Sequence, residues 1–100
     1  MTPREMTVDE CRDLLLRQIA SLVRYWHSLP DRTPLERSNG VVFSLLTLID
    51  GGSGLPAFRL EPEPHPDDEQ YHRENGSNWW PSGVDIGGSL HEQWHRYEPK

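Results

Sequence analysis

The chain has 100 residues, and its 16 Asp and Glu against 10 Lys and Arg leave a formal net charge of −6 with His neutral. One cysteine excludes a disulfide scaffold. No apolar run approaches the ~18 residues of a membrane-spanning helix, and the acidic balance argues against sequence-independent nucleic-acid binding, which needs cations to displace counterions.

The length suits one domain, 1–100, with a single compact core. Residues 1–50 carry six Arg against seven acidic residues, whereas residues 51–100 carry four basic against nine acidic ones. Most of the excess lies in Glu61, Glu63, Asp67, Asp68, Glu69 and Glu74. Such a segment suits a basic partner surface or a cation; it also serves as a solvated loop that keeps the protein in solution. An unpartnered Cys11 and the absence of a basic-then-apolar leader point to a reducing, cytoplasmic setting.

The first predicted helix opens at a Thr7-x-x-Glu10 capping box. Val8, Cys11, Leu15, Ile19, Leu22, Trp26 and Leu29 then recur at three- and four-residue spacing, one apolar stripe that stops at Pro30. Cys11 on that stripe is expected to be buried and inert. A second box, Thr33-x-x-Glu36 with Pro34 at the first position, starts a helix reaching Ile49 and closed by Asp50-Gly51-Gly52. Residues 41–49 are apolar almost all round, which predicts a buried helix. A central strand is the alternative, since Val41-Val42-Phe43 is strand-prone. Gly40 allows close approach of the first helix.

Phe58-Arg59-Leu60-Glu61 alternates apolar and charged, which predicts a short edge strand limited by prolines at 56, 62, 64 and 66. Asp67 is placed to cap a helix over 68–74, closed by Asn75-Gly76. Trp79-Trp80-Pro81 reads as extended. A last helix is expected from Ile86 or Gly88 to Tyr97, with Ile86, Leu90, Trp94 and Tyr97 on one face. The expected fold class is α+β and mostly helical: three main helices, a short strand pair and a long Pro/Gly-rich loop.

Two motifs invite a metal. His91-Glu92-Gln93-Trp94-His95 places two imidazoles at i and i+4 of a helix, able to grip one Zn²⁺, with a carboxylate between them able to act as base. It also suits a plain structural helix, with Leu90, Trp94 and Tyr97 packed inward, His91 and His95 flanking that stripe, and Glu92 paired with Arg96. Pro64-His65-Pro66-Asp67-Asp68-Glu69 sets one imidazole and three carboxylates in a row. It equally reads as a helix start with acidic residues at the positive end. His65, Asp68, His91 and His95 together make a tetrahedral zinc set, leaving Asp67 or Glu92 as the base. If all four bind, the site is closed and structural. His72 is a spare ligand one turn from Asp68.

The first motif resembles the His-Glu-x-x-His signature of zincin metallopeptidases, which implies His91 and His95 as zinc ligands and Glu92 as catalytic base. The second resembles the Pro-His-Pro-Asp-Asp-Glu motif of zinc-dependent N-acetylglucosaminyl deacetylases, which implies His65 and Asp68 as ligands and Asp67 as base. Taken whole, the stretch that runs through Asp50-Gly-Gly, Leu55-Pro-x-Phe58, Pro64-His-Pro-Asp-Asp68, Asn78-Trp-Trp-Pro81, Asp85-Ile-Gly-Gly and Leu90-His-Glu92 resembles a group of small bacterial proteins of unassigned activity, which implies a small standalone domain.

Adjacent tryptophans in an extended segment cannot both point inward, so one is expected on the surface or at a dimer contact. The favoured function is therefore a non-enzymatic interaction or regulatory domain without a cofactor. It would meet a protein partner through Trp79, Trp80, Glu61, Glu63 and Glu69, with no membrane and no direct nucleic-acid contact, and a homodimer is allowed. The rival is a small zinc-dependent hydrolase on the composite site. A third reading is an acidic mimic of nucleic-acid charge.

Overall fold

The structure, a computed structural model, describes residues 2–100. Helix α1 (Val8–Ser28) starts at the predicted box. The Glu10 N–H donates to Thr7 Oγ1 at 3.2 Å, and the Thr7 N–H donates to the Glu10 carboxylate at 2.9 Å. Arg4 closes on that carboxylate through both terminal nitrogens, at 2.8 and 3.0 Å. The guanidinium first, and the Thr7 N–H second, hold the Glu10 carboxyl down to about 2.

Helix α2 (Pro34–Ile49) repeats the device, with Thr33 and Glu36 in reciprocal hydrogen bonds and Pro34 in the first turn. It runs antiparallel to α1. The Trp26 ring lies against Gly40, and its Nε1–H donates to Ser44 Oγ at 2.7 Å. The connection between the helices is fastened by Arg37, whose guanidinium donates to the Leu29 carbonyl at 2.9 Å. Gly40 thus has the role read from the sequence. Gly40 and Leu48 are the fully buried positions of α2, and residues 41–47 are half-buried. The expectation for Cys11 is corrected: it is exposed, because α2 covers the second half of the α1 stripe and not the first.

The expected strand pair is also corrected: the described residues contain helices and irregular segments and no strand. The segment around Phe58 is extended, but its hydrogen bonds go elsewhere. The Phe58 N–H donates to Ile49 O at the end of α2, and the Leu60 N–H donates to the Asp85 carboxylate. One backbone bond, Ile86 N–H to Leu60 O at 2.9 Å, is all that resembles a ladder. Prolines at 56, 62 and 64 remove the donors a ladder needs.

Helix α3 (Asp68–Glu74) spans the predicted residues, though the Asp67 side chain makes no cap hydrogen bond. The last helix is shorter than predicted. Helix α4 covers Leu90–Gln93 and passes into a single 3-10 turn, Trp94–Arg96. Gly88 at φ 93° and Ser89 at φ 54° turn the chain just before it, which leaves Ile86 outside.

Residues 90–99 lie along α2 on a different side from α1. His91 meets Asp50, His91 and His95 meet Phe43, and the Asn39 amide donates to Pro99 O at 3.0 Å. Helix α2 is therefore the shared centre. Leu48 is the one hydrophobic side chain fully buried among the described residues, at 1% exposure. The molecule is flat, with extents of 50 × 47 × 19 Å and a radius of gyration of 17.8 Å. A compact globule of this length has a radius nearer ~13 Å. No described helix is long and apolar enough to cross a membrane.

Candidate functional site

The structure gives each motif histidine its own carboxylate. His65 Nδ1 accepts the Asp67 N–H at 3.1 Å and stands 3.7 Å from the Asp67 carboxylate. Asp68 faces His72 at 3.5 Å, and His72 also contacts Ser77 Oγ at 2.7 Å. His95 faces Glu98 at 3.6 Å. Among the described residues no three His, Cys, Asp or Glu gather closely enough to hold a metal ion. His65, Asp68, His91 and His95 thus stand apart as a ligand set in this structure. The helix changes type between the two histidines of the first motif, from α at His91 to a 3-10 turn at His95. Both rings lean on Phe43, with centroids 5.8 and 5.7 Å from it. Glu92 lies 3.9 Å from His91 Nε2, and no ion pair joins it to Arg96 among the described residues.

His91 is held most firmly. Its backbone N–H donates to Asp50 Oδ2 at 2.9 Å, and its ring Nδ1 contacts the same oxygen at 2.5 Å. The Asp50 side chain is 5% exposed. Burial alone pushes its carboxyl up, but the hydrogen bonds from the His91 backbone and ring and from the Leu90 backbone outweigh that and leave it below its ordinary value. Sequence reading used Asp50 only as a helix stop, and nothing local marks a partner 41 residues away.

The tryptophan pair divides its roles. Trp79 is 37% exposed and carries the Arg73 guanidinium 4.3 Å from its ring centroid, while Arg73 also bonds Glu69 at 3.2 Å. Trp79 and Glu69 are therefore tied up in a local contact. Trp80 is 60% exposed. It walls a groove of about 450 Å³ with Leu60, Ile86, Glu61, Glu63 and Asp68. Arg59 pairs with Glu61 at 2.9 Å, and Glu63 has no ion partner among the described residues. One oxygen of Asp68 is buried without a hydrogen bond. The groove keeps its shape through Asp85, whose Oδ1 accepts the Leu60 and Gly87 N–H groups at 2.8 and 2.9 Å. Those two bonds lower the Asp85 carboxyl below its ordinary value. Of the five expected partner residues, Trp80, Glu61 and Glu63 share this groove; Glu69 and Trp79 line a neighbouring one of about 340 Å³.

Comparison with protein-family models, with characterised proteins and with solved structures returns no match, so the functional reading rests on geometry.

Proposed function

We propose that the chain is a non-enzymatic interaction or regulatory protein that takes a basic segment of a partner protein into the Trp80 groove. The observation that carries this is the open face of Trp80 between Glu61, Glu63 and Asp68. An aromatic face flanked by carboxylates suits a Lys or Arg head: the ring attracts the cation by about 0.5–2 kcal/mol, and the carboxylates accept its hydrogen bonds. Leu60 and Ile86 supply an apolar floor for the aliphatic stem.

A panel of fluorescent peptides with single and paired Lys or Arg tests this by anisotropy. Binding should weaken with salt, and Trp80→Ala and Glu61→Gln/Glu63→Gln should each reduce it at least tenfold without moving the melting temperature. No binding by any basic peptide at millimolar concentration defeats the reading.

A zinc-dependent hydrolase is the second reading; the Asp50–His91 pair favours it, and it requires further ligands to move toward His91, since no three gather among the described residues. A buried carboxylate on one ring nitrogen is how many metal-binding histidines are oriented. Equilibrium dialysis separates the two: zinc retained at one ion per chain and lost in His91→Ala supports the hydrolase, and zinc that washes out supports the interaction reading.

A further inference from the structure

We propose that Ser77 is a nucleophilic hydroxyl, activated by His72 and Asp68, that accepts an acyl group from activated esters. The site adjoins the Trp80 groove, with which it shares the Asp68 side chain, but does not depend on what that groove binds. Asp68 and His72 stand one turn apart on α3, so their side chains leave the same face. The chain then turns at Asn75 and Gly76: the Asn75 side-chain amide donates to Tyr71 O at 2.7 Å, and Gly76 takes φ 68°. That turn brings Ser77 back to the end of α3. Its N–H donates to His72 O at 2.9 Å, and its Oγ lies 2.7 Å from His72 Nδ1. The other ring nitrogen, Nε2, lies 3.5 Å from Asp68 Oδ1.

These partners fix the tautomer. An ionised carboxylate only accepts, so the ring proton sits on Nε2, facing Asp68. Nδ1 is then bare and accepts the Ser77 O–H. A hydroxyl on a bare imidazole nitrogen, with a carboxylate beyond the ring, is the arrangement that turns serine into a nucleophile. The two ring nitrogens are exchanged relative to the usual order, but each group keeps its role. One Asp68 oxygen is buried without a hydrogen bond, so no other donor neutralises the carboxylate there. The His72 and Asp68 side chains are 26% and 27% exposed, whereas Ser77 is exposed. The base and its carboxylate are thus sheltered, where opposite charges attract more strongly than in water, and the hydroxyl is open to a reagent.

No other serine among the described residues meets an imidazole. Ser28 and Ser38 donate to backbone carbonyls of their own helices, and Ser44 accepts from Trp26. In the step proposed, Ser77 Oγ bonds to the carbonyl carbon of the ester while its proton moves to His72 Nδ1. The bond from that carbon to the leaving oxygen then breaks, and the leaving oxygen takes the proton from the imidazolium. The products are acyl-Ser77 and a free alcohol. Asp68 stabilises the imidazolium between the two transfers. The Ser77 N–H, which would stand nearest the developing oxyanion, is committed to His72 O. Lack of one such donor costs about 10²–10³-fold in rate. Attack therefore needs a good leaving group, and water removes the acyl group slowly. The site is a single-use acceptor, in keeping with a chain that binds rather than turns over.

Incubation with p-nitrophenyl acetate, followed by site-resolved peptide mass spectrometry, tests this. Acetyl should appear on Ser77 about a hundredfold faster than on the exposed Ser82 of the same molecule. Acetyl on Cys11 or Lys100 falls in other peptides and is read separately. Ser77→Ala should lose the label from its peptide. His72→Asn keeps a side chain able to hydrogen-bond Ser77 but supplies no base, and should slow labelling about a hundredfold with an unchanged helical signal in circular dichroism. Asp68→Asn should slow it as well, and Asp68→Glu should restore part of the rate. Ser77 and Ser82 labelled at equal rates, or His72→Asn labelled as fast as the wild type, would overturn the inference.

Discussion

The carboxylate of Asp50 receives both the backbone N–H and the ring of His91, and so joins the end of α2 to the start of α4 across 41 residues of chain. The Asp50 side chain that anchors the C-terminal segment is 5% exposed. Asp50→Ala should cost about 1–3 kcal/mol, because it strands the His91 donors in a half-buried place. Limited proteolysis of the variant should cut first within residues 88–97.

Acid should act through the same carboxylate. Its folded value lies below the ordinary 3.8. A lowered carboxyl stabilises fully above the unfolded value and loses that contribution as pH falls through the folded one. The urea midpoint should therefore hold from about pH 6 to about pH 4.5 and fall below that, and Asp50→Asn should flatten this part of the profile.

Gly40 leaves no room for a side chain. A Cβ there would stand 2.4 Å from atoms of the Trp26 ring. Helix propensity favours Gly40→Ala by about 1 kcal/mol, but displacing a packed indole costs about 1–3 kcal/mol and breaks the 2.7 Å bond to Ser44. Gly40→Ala should lower stability on denaturant unfolding, and Trp26→Phe with Gly40→Ala should recover part of the loss.

Glu10 should titrate near pH 2 in carbon-13 NMR, because Arg4 and the Thr7 N–H both stabilise its charge. Arg4→Ala should raise that value toward 4.5. The group is exposed, so the shift should shrink in high salt. A value that does not move in Arg4→Ala would assign the lowering to the capping box alone.

Trp80 should supply the quenchable part of the fluorescence. Caesium should quench it more strongly than iodide at equal concentration, because Glu61, Glu63 and Asp68 line its groove. Trp80→Phe should remove that difference, whereas Trp79→Phe should leave most of it, since Arg73 covers the Trp79 face.

Both long helices were legible because their signals are local. Thr7 with Glu10 and Thr33 with Glu36 satisfy end donors within three residues, and Pro30 and Gly51 close them in sequence. Helix α3 was legible for the same reason at Asn75-Gly76. That no strand pair forms at Phe58–Glu61 was not legible. Alternation at Phe58–Glu61 is a pattern of side chains, whereas a strand is a pattern of backbone partners, and here those partners are Ile49 and Asp85. The last helix was overread because Ile86, Leu90 and Trp94 keep helical spacing across Gly87-Gly88-Ser89, where positive φ stops it.

The candidate site divides in the same way. Residue types alone marked Trp79, Trp80, Glu61, Glu63 and Glu69 as a surface for a partner, and marked the histidines as able to bind a metal. Tertiary structure decided which neighbours each received. Asp50 took His91 from 41 residues away, whereas Glu98 with His95, Asp68 with His72 and Arg73 with Trp79 pair within three to six residues of one another. Capping and periodicity act over three or four residues, so the chain itself carries them; pairing a carboxylate with an imidazole 41 residues away depends on how α2 and its flanking segments pack, which no local pattern encodes.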